Sequence, residues 1–127
     1  MSPEQELYDR LYIISQNELG YDTYDQLPRL DATYPFVELA ETQNVSNDIK
    51  NSRQGQATQT INFWGSEDMR YQLVKMMEKF LFDRVRTDSY VYVLDHVEKR
   101  ILPDSSVPNT RLFHGVLTLV FNYQERT

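Results

Sequence analysis

Apolar residues recur along this chain at two different periods, and the switches between them mark its elements. Leu7, Leu11 and Ile14 stand at i, i+4 and i+7, one face of a helix, with Tyr8 and Tyr12 beside the stripe. Ser2 suits the N-cap, Pro3 the first helical position and Gln5 the third position of a capping box. Gly20 is a natural stop, so a helix is predicted from about Pro3 to Leu19. A connector follows over Tyr21 to Thr33, with Asp22, Asp25 and Asp31 around Leu27-Pro28. Strand character begins at Tyr34 or Pro35 in TYPFVELAE, a place where proline is tolerated. It resumes at Ala57: Gln59, Ile61 and Phe63 share one face, and Thr58, Thr60, Asn62 and Trp64 the other.

Between these strands lies Thr42 to Gln56, TQNVSNDIKNSRQGQ, which has no apolar period. Hairpin loops are commonly two to five residues, so this stretch predicts an extended polar arm at about 42–56. Ile49, Lys50 and Arg53 stand out within it as apolar and basic features. These three, with Trp64 as an aromatic anchor, are the candidate contacts with another subunit or a partner. A solvated loop is the competing reading.

Gly65 and Ser66 then break the strand and open a second helix, with Glu67 and Asp68 where the helix dipole favours acids. Leu73, Met76, Met77, Phe80 and Leu81 form its apolar stripe, and Arg84 and Arg86 sit near its end. Two strands close the chain: Tyr90 to Ile101, a turn over Pro103 to Pro108, and Thr110 to Gln124. In the last, Phe113, Gly115, Leu117, Leu119, Phe121 and Tyr123 alternate with His114, Val116, Thr118, Val120 and Asn122. The order α-β-β-α-β-β predicts an α+β fold: a two-layer sandwich with a mainly antiparallel four-stranded sheet and two helices on one face. The α-β-β unit occurs twice in outline, without a sequence repeat.

Length and composition narrow the function. A chain of 127 residues suits a single domain with one core. The net charge of -6 and the lack of a basic stripe argue against nucleic-acid binding. The chain has no cysteine, so disulfides, thiolate metal sites and a cysteine nucleophile are excluded. The acidic, polar N-terminus does not resemble a signal peptide, and no apolar run nears the ~20 residues of a membrane span. Nine Tyr and six Phe supply amphipathic rings that serve strand faces and interfaces alike.

Catalytic and metal patterns are weak. His96 follows Asp95 in a strand, where neighbours point to opposite faces, so adjacency alone does not make them a pair. His96 and His114 could meet across a hairpin, yet no third metal ligand has suitable spacing. Ser105 and Ser106 lack a strand-turn-helix context and read as turn residues between two prolines. Asp22, Asp25 and Asp31 lack the spacing and glycine of a calcium loop. Met69, Met76 and Met77 read as core, and the four glycines form no phosphate loop. No catalytic residue, cofactor or metal is expected, and the chain is read as a non-enzyme.

One resemblance covers nearly the whole chain. It rests on the capped first helix, the YPF-V-E strand (Tyr34 to Glu38), and the polar stretch with Asp48, Lys50 and Arg53. Phe63-Trp64 and the acid-started helix with Met76-Met77 complete it. In this order the features resemble the tail-terminator (minor tail, neck) proteins of long-tailed bacteriophages with non-contractile tails. The resemblance implies a homo-oligomer, a hexameric ring in the virion neck, made in the cytoplasm of the bacterial host. Such a ring caps the tail-tube protein, stops its polymerisation and docks on the head-connector protein. DNA passes through the lumen without specific binding, and no membrane is involved. The acidic balance suits a channel that does not hold phosphates. The rival in the same particle is a head-tail joining or head-completion protein. A rival of another class is a small ligand-binding or regulatory α+β module, which would carry a concave apolar pocket.

Overall fold

A computed structural model describes residues 1–27 and 32–126; the expectations for Pro28 and Asp31 lie outside them. The elements run α1 (Pro3–Ile13), β1 (Thr23–Tyr24), β2 (Phe36–Ser46), β3 (Gln54–Ser66), α2 (Arg70–Glu78), β4 (Arg84–Arg86), β5 (Tyr90–Asp104) and β6 (Leu112–Glu125). All strands join one curled sheet in the order β1-β2-β3-β6-β5-β4. The pair β1–β2 is parallel and the others are antiparallel. This corrects the four-stranded antiparallel sandwich. The sheet has six strands and is mixed, and it dominates the molecule. The two added strands have two and three residues, too short to carry a period.

Helix α1 begins as its cap predicts: the Gln5 N–H donates to Ser2 Oγ at 3.2 Å. It ends sooner than predicted. From Ile14 to Glu18 the backbone widens into a π-helical turn, and Gly20 follows at φ 75°. Leu7, Leu11 and Ile14 are buried. Helix α2 also differs from its expected bounds. Gly65 and Ser66 remain in β3, so Glu67 and Asp68 lie in the turn before the helix. Arg84 and Arg86 belong to β4, and Leu81 is exposed.

The inner face of the sheet follows the predicted alternation. Ala57, Gln59, Ile61 and Phe63 of β3 and Leu117, Leu119 and Phe121 of β6 have no exposed surface. They pack with Leu7 and Leu11 of α1, and with Leu73, Met77 and Phe80 at the second helix. Burying large side chains like these supplies on the order of 2 kcal/mol each. Gly115 lets α2 approach, since a Cβ there would lie 2.9 Å from Met77 Sδ.

The extended arm at 42–56 is the second correction. Thr42 to Ser46 continue β2, and Gln54 to Gln56 begin β3. Only 47–53 turns, with Ile49 and Ser52 exchanging backbone hydrogen bonds of 3.1 and 3.0 Å. The reason is a register shift between Leu39 and Thr42. Before it, Val37 and Leu39 face inward. After it, the inward places opposite Gln59, Ala57 and Gly55 pass to Thr42, Asn44 and Ser46. The strand therefore lacks the apolar alternation by which it could be read. Gln59, fully buried, satisfies the irregularity. Its Nε2 donates to the carbonyls of Ala40 (3.4 Å) and Thr60 (2.9 Å), and its Oε1 accepts from Thr42 Oγ1 at 2.6 Å. Tyr123 Oη donates to Asn44 Oδ1 at 2.9 Å, and Gly55 leaves room for that hydroxyl.

Candidate interaction surface

The opposite, outer face of the sheet carries side chains that the core does not use. Rows across it read Trp64, His114, Leu102 and then Glu38, Asn62, Val116, Arg100. Trp64 and His114 stack with ring centroids 4.0 Å apart and planes 7° from parallel. Asn62 Nδ2 donates to Glu38 Oε1 at 3.0 Å, which turns its Oδ1 toward His114 Nε2 at 2.8 Å. Histidine therefore donates through Nε2 and keeps Nδ1 as an acceptor. Burial pushes the His114 pKa down, against the pull of Asp104 and Glu38. The Trp64 indole N–H is buried without an acceptor among the described residues. Phe36, beside Trp64 in register, extends the aromatic band through Tyr34 and Tyr24, each 5.5 Å away.

At the other end of the same face, a shallow groove of about 740 Å³ is lined by Val45, Gln56, Asn122, Val93, Gln124 and Arg84, among others. Val45 and Val93 are exposed. The polar residues form a ladder: Gln56 Nε2 donates to Asn122 Oδ1 at 3.4 Å, and Asn122 Nδ2 to Asp95 Oδ1 at 3.2 Å. Asp95 Oδ2 lies 2.6 Å from His96 Nδ1. This pair contradicts the expectation from strand alternation. A register shift between Leu94 and His96 suspends the alternation there and lets both side chains turn together. The hydrogen bond with His96 holds the Asp95 carboxyl below its usual range.

The predicted contact residues do not converge. Ile49 and Lys50 are exposed at the hairpin tip. Arg53 is tied to its own domain: its N–H donates to Glu125 Oε2 at 3.1 Å and its Nη1 to Tyr90 Oη at 3.3 Å. Trp64 lies at the far end of β3, roughly 35 Å away at ~3.3 Å per residue. His96 and His114 are opposite Val120 and Leu102, roughly 20 Å apart along the strands, and so share no site. Among the described residues no three His, Asp or Glu side chains gather to hold a metal. The groove residues Val45, Val93 and Asn122 were not singled out from sequence. Val45 lay in the supposed arm, and the others looked like ordinary strand positions.

Neither a family model nor a curated protein matches the sequence. Solved structures match its fold. The fold recurs in a virion particle. A chain of the virion of native gene transfer agent (GTA) particle aligns over 99% of this chain and 96% of its own length. The TM-score is 0.57 and the identity 13%. At that identity the likeness is one of fold.

Proposed function

We propose that this chain is a structural subunit of a phage-like virion. In the neck it acts as a tail terminator: six copies close into a ring that caps the tail tube, ends its growth and meets the head connector. DNA passes through the lumen, and the subunit performs no chemistry. The observation that carries the reading is the fold shared with a virion chain along nearly the full length of both. The outer face supports it, with stacked aromatic rings, amide ladders and exposed valines suited to broad contact rather than to a reacting centre. The extended arm expected from sequence gives it no support, since Thr42 to Ser46 and Gln54 to Gln56 pair within the sheet and Arg53 is tied to its own domain.

The test is assembly of purified tail-tube protein with and without this chain, with tube lengths measured by electron microscopy. Capping predicts shorter tubes that carry a density ring at one end. Unchanged lengths and no bound chain contradict the proposal. Binding only to the connector side would make it a head-tail joining protein.

A further inference from the structure

We infer that copies of this chain join flank to flank. An acidic, apolar segment around β1 enters a basic crevice between α2 and the free edge of β5 on the next copy. The inference deepens the ring reading and rests on it.

The acceptor is a crevice of about 220 Å³ lined by Arg70, Val74, Met77, Lys99, Arg100 and Ile101. Arg70, Val74 and Met77 stand at i, i+4 and i+7 on one face of α2. Lys99 to Ile101 lie in β5 beyond its pairing with β4, which covers only Val91 to Val93. There β5 is itself the edge of the sheet. Among the described residues, Arg70, Lys99 and Arg100 form no salt bridge. The crevice is thus apolar at its floor and cationic at its rim. It asks for an aliphatic side chain flanked by carboxylates.

The chain carries such a segment on its opposite flank. Leu27 is 57% exposed and follows Asp22 and Asp25, both exposed. Glu41, on neighbouring β2, adds a further exposed acid. The register places the two flanks level with each other. Thr23, Val37, Phe63, Gly115 and Ile101 form one row, and Tyr24, Glu38, Asn62, Val116 and Arg100 the next. Strand β1, which the donor residues flank, and the Lys99 to Ile101 stretch of β5 therefore end the same rows, four strand steps or roughly 19 Å along the sheet at ~4.8 Å per strand. One copy meets the next with little slip along the strands. A contact between two different surfaces of identical subunits is heterologous, the kind that closes a ring when each step adds a fixed rotation.

The lack of native cysteine makes the contact directly testable. In the full chain carrying Leu27→Cys and Val74→Cys, mild oxidation is expected to give a ladder of dimers, trimers and larger species. Each single-cysteine variant is limited to dimers. Asp22→Lys with Asp25→Lys, or Lys99→Glu with Arg100→Glu, is expected to weaken self-association by about tenfold or more in sedimentation. Combining both reversals is expected to recover most of it. If the unaltered chain assembles while the reversals have no effect and no ladder forms, the contact is wrong and the ring reading stands. If the unaltered chain remains monomeric at every concentration, with or without tail-tube protein, the ring reading falls and takes this contact with it.

Discussion

The two faces of β3 carry alternate residues of one strand and meet opposite demands. On the inner face Ala57, Gln59, Ile61 and Phe63 are wholly buried against the helices and their flanks. On the outer face Thr58, Thr60, Asn62 and Trp64 are half-buried, and Asn62 and Trp64 are linked sideways, Asn62 to His114 and Glu38 and Trp64 to His114. The inner face holds the fold together, and the outer face leaves stacking and hydrogen-bonding groups within reach of a neighbour. Substitutions on the two faces should therefore separate stability from assembly.

The largest effect is expected inside. Phe63→Ala removes a buried ring set edge-on to Phe80 and should cost about 3–5 kcal/mol, read from denaturant unfolding. Gly55→Ala should cost about 1–3 kcal/mol, because the new methyl meets the Val45 carbonyl and stands 2.8 Å from the Tyr123 hydroxyl. Trp64→Ala, on the outer face, should cost about 1–2 kcal/mol and weaken assembly more than stability. A Trp64→Ala loss as large as that of Phe63→Ala would break the division between faces. Lys50→Ala, at the hairpin tip, should lie within about 0.5 kcal/mol of the parent chain.

Acid sharpens the comparison at the first turn of α1. Burial alone would raise the pKa of Glu6, but hydrogen bonds from Thr87 and Ser89 outweigh it and leave the carboxyl low; the Ser89 N–H stands 3.1 Å from Oε1. A depressed carboxyl contributes stability above the ordinary glutamate value of 4.5 and loses it as pH falls through the folded value. The parent chain should thus lose more stability than Glu6→Gln when taken below pH 4.5. Equal losses would mean that the carboxylate does not hold the 87–89 turn.

The inner face was legible in sequence because its signal is periodic. Leu7 and Leu11 in α1, Ile14 in the turn that follows it, and Leu117, Leu119 and Phe121 in β6 are buried where the spacing puts them. What escaped were the irregularities. A shift at Ala40 and Glu41 turned Thr42, Asn44 and Ser46 inward, so half of a hairpin looked like a loose arm. A second shift beside Asp95 paired two neighbours that regular alternation keeps apart. The short β1 and β4 offered no period, and without them the free edge of β5 and its crevice could not be located. The outer surface was half legible. Trp64 was named as an anchor, but its stack on His114 depends on the β3–β6 register, which only the folded sheet reveals.

Native mass spectrometry of the unaltered chain over a rising concentration series tests the central claim, that this subunit closes on copies of itself. One dominant closed species of six copies is expected, with few intermediates between it and the monomer. A monomer throughout, both alone and with tail-tube protein present, or a series of ever larger open polymers, would contradict it.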